Sequence, residues 1–176
     1  MRNLIIVIIT TISPLLLNGQ VTNLDKLTQP ERDSILIAAA KQIILKFGPD
    51  FYDENQPLII KRYVITNQEE KNGGPERGFR AGRVKYYVGY FRSDHKEMLE
   101  RFPHMTPYST VVDIWEDTGL VGAMSFGDFG VCYSQEIDPY ADPLPEHNIF
   151  VRAKPGEKRC MPKSEYDQWK KDNRMK

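Results

Sequence analysis

The stretch from Thr28 to Pro49 constrains this chain more than any other. Thr28-Gln29-Pro30-Glu31 has the spacing of a reciprocal helix cap, in which the threonine accepts the Glu31 N–H and the glutamate reaches back to the Thr28 N–H. Pro30 suits a first turn, where its missing N–H would have no partner anyway. Ile35, Leu36, Ala39, Ile43 and Phe47 recur at helical spacing. Ala38, Ala39 and Ala40 add helix propensity and a smooth packing surface. Gly48-Pro49 is a stop signal. The pattern predicts a helix from about Gln29 to Phe47, buried along one stripe. A stripe of that length needs an apolar surface to cover.

The residues that follow supply one. Leu58 to Thr66 places Ile59, Tyr63 and Ile65 on one side of a strand, with Lys61 on the same side as an exception. Arg83 to Arg92 is rich in β-formers, with Val84, Tyr86, Val88 and Tyr90 on one face and Tyr87 and Phe91 on the other. Thr110 to Trp115 and Leu120 to Phe126 read as a hairpin closed by Asp117-Thr118-Gly119. Gln68 to Gly82, with Gly73-Gly74-Pro75, reads as a loop. Ser93 to Phe102 reads as a short helix turning Met98, Leu99 and Phe102 inward. Beyond Gly127 the pattern weakens: Ile137 to Asn148 reads as an extended acidic, Pro-rich loop, and Lys163 to Lys171 as a last short helix bearing Tyr166 and Trp169. The fold class is α+β. A long N-terminal helix packs on a curved antiparallel sheet of about four strands over 20–127, and an irregular C-terminal extension, 128–176, packs on the same domain.

The first nineteen residues differ from the rest. Arg2 precedes an apolar run, Leu4 to Leu17, which ends at Asn18-Gly19. This is the plan of a secretory signal peptide over 1–19, cut between Gly19 and Gln20. Export to the periplasm or medium follows, and no apolar run is long enough to leave a membrane span after cleavage. In an oxidising compartment Cys132 and Cys160 have only each other as partners, and a disulfide would stabilise by about 3 kcal/mol. The alternative is two unpaired thiols. The 176 residues carry 24 basic and 24 acidic side chains with no long basic block, so nucleic-acid binding is not expected. The charge is uneven: 20–150 hold 14 basic and 20 acidic residues, and 151–176 hold 9 and 4. That describes a basic tail lying on an acidic domain.

No catalytic constellation emerges. Asp117-Thr118-Gly119 matches the aspartic-protease loop, but Glu116 and Leu120 flank it, and a hairpin turn accounts for it. Asp94, His95, Glu97 and His104 lack metal-ligand spacing. Asp138, Asp142 and Glu146 lack the alternation and central glycine of a calcium loop. Asn72-Gly73-Gly74 lacks the Lys-Ser/Thr of a phosphate loop. No G-x-S-x-G occurs, so no hydrolase nucleophile elbow is expected; without ligand spacing or a phosphate loop, neither a metal nor a cofactor is expected. The aromatic residues carry more information. Tyr87, Phe91 and Trp115 either fill the core or form a docking surface on one sheet face.

Three stretches carry a family resemblance. They are A-A-A-K-Q-I-I-L-K-F-G-P-D-F-Y-D (Ala38 to Asp53) leading through Glu54-Asn55-Gln56-Pro57-Leu58 into a strand; Val84 to Phe91; and V-V-D-I-W-E-D-T-G-L-V-G-A-M-S-F-G (Val111 to Gly127). Together they resemble the immunity-protein domain of bacterial polymorphic-toxin systems, which has a nuclear-transport-factor-2-like fold. They are also similar to PepSY-like domains. The Tyr86-Tyr87 pair stands where the former group has a tryptophan. The resemblance implies a cystatin-like or nuclear-transport-factor-2-like sheet-and-helix fold and no catalytic residues. It also implies a binding protein of the toxin-immunity or inhibitor kind whose partner is a toxin or protease; the leader makes it exported, and an exposed sheet face leaves it monomeric or homodimeric. The alternative is a small-ligand-binding protein or minor enzyme with a cone-shaped aromatic pocket.

Overall fold

The computed structural model describes residues 23–73, 78–101, 106–127, 130–152 and 158–174. The leader expected at 1–19, with its junction at Gly19 and Gln20, lies outside them. The chain runs through a 3-10 turn (Leu24–Lys26), α1 (Gln29–Phe47), a second 3-10 turn (Pro49–Phe51), β1 (Leu58–Val64), α2 (Asn67–Gly73), β2 (Val84–Phe91), α3 (His95–Arg101), β3 (Tyr108–Trp115), β4 (Val121–Phe126), β5 (Gly130–Ile137), β6 (Asn148–Phe150), β7 (Cys160–Pro162) and α4 (Lys163–Arg174).

α1 has the predicted limits. The Thr28 N–H donates to Glu31 Oε2 at 3.0 Å, and the Thr28 hydroxyl donates to the same oxygen at 2.6 Å. At the other end the Gly48 N–H closes on the Ile44 carbonyl at 2.8 Å. A Cβ on Gly48 would lie 2.5 Å from the Phe126 ring, so only glycine lets the helix end this close to β4. The helix is not the first described element. Leu24 precedes it, fully buried, with its N–H on the Glu116 carbonyl at 2.8 Å.

The helix packs on an antiparallel sheet in the order β1-β2-β3-β4-β5. The sheet has five strands rather than about four. β5 continues the meander, from Phe126↔Gly130 to Val121↔Ile137. Val131, Tyr133 and Ile137 alternate with Gly130, Cys132, Ser134 and Glu136, a strand pattern interrupted at Gln135, and the bonds to β4 place it in the sheet. The extension is therefore not irregular: the sheet crosses residue 127, β6 and β7 form a second two-stranded sheet, and α4 follows. The stretch expected as a loop from Gln68 also contains α2. Thr66 and Glu69 form a capping box there, with the Thr66 N–H on Glu69 Oε2 at 2.9 Å and the Glu69 N–H on Thr66 Oγ1 at 3.3 Å. The predicted hairpin forms. Trp115 N–H reaches Leu120 O at 2.9 Å, Gly119 N–H reaches Trp115 O at 2.8 Å, and Gly119 has φ +67.

Ile60, Val88, Val112 and Met124 lie in one row across four strands. With Tyr86, Ile114, Val121 and Phe126 they bury Leu36, Ala39, Ala40, Ile43 and Ile44 of α1. Each large apolar side chain removed from water here contributes about 1.5–3 kcal/mol. The β6–β7–α4 unit docks beside this core. Phe150 stacks on Phe126 at 5.0 Å, and the Tyr166 hydroxyl donates to Asp50 at 2.9 Å. Cys160, in β7, is a free, exposed thiol; the side chain of Cys132, in β5, is not described, so the expected bridge is not seen among the described residues. No helix among the described residues is long and apolar enough to cross a membrane.

Candidate functional site: the sheet face opposite the helix

Strand alternation sends one set of side chains to α1 and the other away from it. On β2 the second set is Lys85, Tyr87 and Phe91; on β3 it is Val111, Asp113 and Trp115. Register then places Tyr87 beside Asp113 and Lys85 beside Trp115. Tyr87 and Phe91 are half-buried, and Tyr108 packs between them, its ring centroid 5.4 Å from Tyr87 and 5.0 Å from Phe91. Gly89 makes room for this group, because a Cβ there would lie 2.9 Å from Tyr87 and 3.0 Å from Tyr108. Burial, then the neighbouring Tyr108 and Asp113, push the Tyr87 hydroxyl up to about 12, so it stays protonated as a donor near neutral pH.

Trp115 shares this face but offers a partner no surface. It is 2% exposed. Phe79 meets it edge-on at 5.9 Å, and the Arg83 guanidinium lies 4.0 Å from its ring centroid. Arg83 is held there by Asp117 at 2.9 Å and Glu136 at 2.7 Å. Of the three aromatic residues singled out from the sequence, two belong to a surface set and the third is core.

Between these aromatics lies an ion pair. Lys85 Nζ meets Asp113 Oδ2 at 2.5 Å, with the two side chains only 15% and 13% exposed. The ammonium also lies 5.6 Å from the ring centroids of both Tyr63 and Phe79. Burial pushes the Asp113 carboxyl above the usual aspartate range, and Lys85 pulls it back only in part. The other Asp113 oxygen, Oδ1, is buried without a hydrogen-bond partner among the described residues. On the helix side Glu116 is the counterpart. It accepts from Arg62 at 3.0 Å and Tyr86 at 2.8 Å, and although burial works to raise its pKa, these two bonds hold it low.

The other candidates do not converge. Asp94 pairs with Arg92 at 3.1 Å and Glu97 with Arg101 at 3.0 Å. The His95 side chain and His104 are not described. Asp138 accepts the Tyr140 N–H at 2.8 Å, and Glu146 accepts from the Ser164 N–H at 3.3 Å. Among the described residues no group of three or more His, Cys, Asp or Glu could share a metal ion. Comparison of the chain with family models, curated proteins and solved structures finds no match.

Lys85, Asp113, Tyr108 and Phe79 escaped the sequence reading. The available signal was parity, since Lys85 aligns with Tyr87 and Phe91, and Asp113 with Trp115. Pairing them requires the β2–β3 register, and the chain between those strands is too long for a turn to set it.

Proposed function

We propose that this chain is an exported, non-enzymatic binding protein of the toxin-immunity or inhibitor kind, working by contact with a partner protein. The observation that carries this reading is the half-buried set of Tyr87 and Phe91, braced by Tyr108, on the sheet face that α1 leaves uncovered. Rigid aromatic side chains supported from beneath and still half open suit a docking surface, because they lose little entropy on contact. Export rests on the leader at 1–19. The cystatin-like or nuclear-transport-factor-2-like form of the fold belongs to the same proposal, supported by one long helix across an antiparallel meander.

The chain from Gln20 onward, used as bait among the exported proteins of its own host, tests this. A single stoichiometric toxin-like or protease-like partner is expected. Tyr87→Ala and Phe91→Ala should each weaken its capture by about 30-fold while the domain stays folded. If capture falls only in step with stability, these residues are core alone and the proposal fails. A second reading, a small-ligand site on the same face, draws on the buried Asp113 oxygen beside the aromatics. A small molecule retained through purification, with no protein partner, favours it.

A further inference from the structure

β1 is an edge strand, and β2 is its only strand partner among the described residues. The direction of its backbone groups follows from two bonds. The Phe91 N–H reaches the Pro57 carbonyl at 2.8 Å, and the Ile65 N–H reaches the Arg83 carbonyl at 2.9 Å. Bonded positions alternate along an antiparallel strand, so odd-numbered residues from 57 to 65 face β2. Leu58, Ile60, Arg62 and Val64 aim their N–H and carbonyl groups outward, where no backbone bond among the described residues reaches them.

Edges of this kind are usually blunted by shortness, proline, a bulge or charged side chains such as lysine, and of these β1 carries only the charges of Lys61 and Arg62. β1 has seven residues, no proline and an unbroken register from Leu58↔Tyr90 to Val64↔Val84. Its second half is exposed, with Tyr63 at 41% and Val64 at 46%. Its charge is one-signed: Lys61 has no ion-pair partner among the described residues, and Arg62 keeps half its side chain in water beyond Glu116. Self-pairing about the strand centre would set Lys61 against Lys61, which is unfavourable. Residues 1–22 contain no acidic side chain to complement it.

We infer that β1 receives an extended, acidic segment of a partner protein as a sixth strand. Backbone bonds to Ile60, Arg62 and Val64 supply the pairing, and carboxylates opposite Lys61 and Arg62 supply the selectivity. The inference rests on the protein-binder reading and names its mode. Its test does not need the natural partner, so the two fail separately.

The probe is a nine-residue capped peptide of alternating Thr and Val with a central Glu-Asp pair, and its control carries Lys-Lys instead. The acidic peptide should bind the full chain and slow amide exchange at residues 60, 62 and 64. Val64→Pro removes one outward N–H and no β1–β2 bond, so it should weaken binding by about tenfold without lowering Tm. Lys61→Glu should reverse the preference between peptides. No binding at about 1 mM peptide overturns the inference, as does equal binding of both peptides or protection centred elsewhere. A homodimer in sedimentation that Val64→Pro dissolves also overturns it, since the edge would then be filled by a second copy.

Discussion

Replacing Lys85 with methionine isolates its buried charge pair with Asp113 on the open sheet face. The aliphatic stem survives, and the ammonium 2.5 Å from Asp113 is lost. Asp113 then keeps a carboxylate in a site 13% exposed, with one oxygen already lacking a partner among the described residues. Breaking a buried pair from one side costs about 3–5 kcal/mol, a large share of the roughly 5–15 kcal/mol that holds a domain together. With a slope of about 2 kcal/mol per molar urea, the midpoint should fall by about 2 M at pH near 7. The loss should depend on pH. Asp113 titrates above its ordinary range in the fold, so its contribution to stability is full below the unfolded-state range and is lost as pH rises through the folded value. Without Lys85 that shift grows, and the variant should recover stability as pH falls from neutral into mild acid and Asp113 takes up a proton. Urea titrations followed by circular dichroism across that pH range measure this. The double variant Lys85→Met/Asp113→Leu should regain most of the loss, because a packed apolar pair has no charge to desolvate. A loss under about 1 kcal/mol near pH 7, or one independent of pH, refutes the account of a desolvated pair.

Two further outcomes follow from packing and capping. Gly122→Ala would place a Cβ 2.3 Å from Trp115 Nε1, and overpacking of about 1–3 kcal/mol should lower Tm while shifting the Trp115 fluorescence. Glu69 is held below the usual carboxylate range by the Thr66 N–H and then by the Tyr63 and Thr66 hydroxyls, so its support for α2 is present above that range and lost as pH falls through the folded value. Amides 67–73 should therefore exchange faster in acid, and Glu69→Gln should show that faster exchange already at neutral pH.

What the chain determined by itself is local. The Thr28 and Glu31 cap, the apolar spacing through Phe47 and the Gly48 stop set α1 within the chain, because a helix closes its bonds four residues apart. Asp117-Thr118-Gly119 set the β3–β4 hairpin for the same reason: Gly119 supplies the positive φ the turn needs. Even the cap of α2 was present in Thr66 and Glu69, though the glycines after it masked the signal. Tertiary structure decided the rest. β5 takes its place in the sheet because β4 offers it an edge, and the alternation of Val131, Tyr133 and Ile137 does not by itself say which strand it pairs with. Trp115 is core because Phe79 and Arg83, both distant from it in sequence, close over it. Lys85 meets Asp113 across two strands joined by a long connection, and no local rule sets that register. Nearby residues could announce elements, but the binding face and its buried charges exist only where the sheet brings distant residues together.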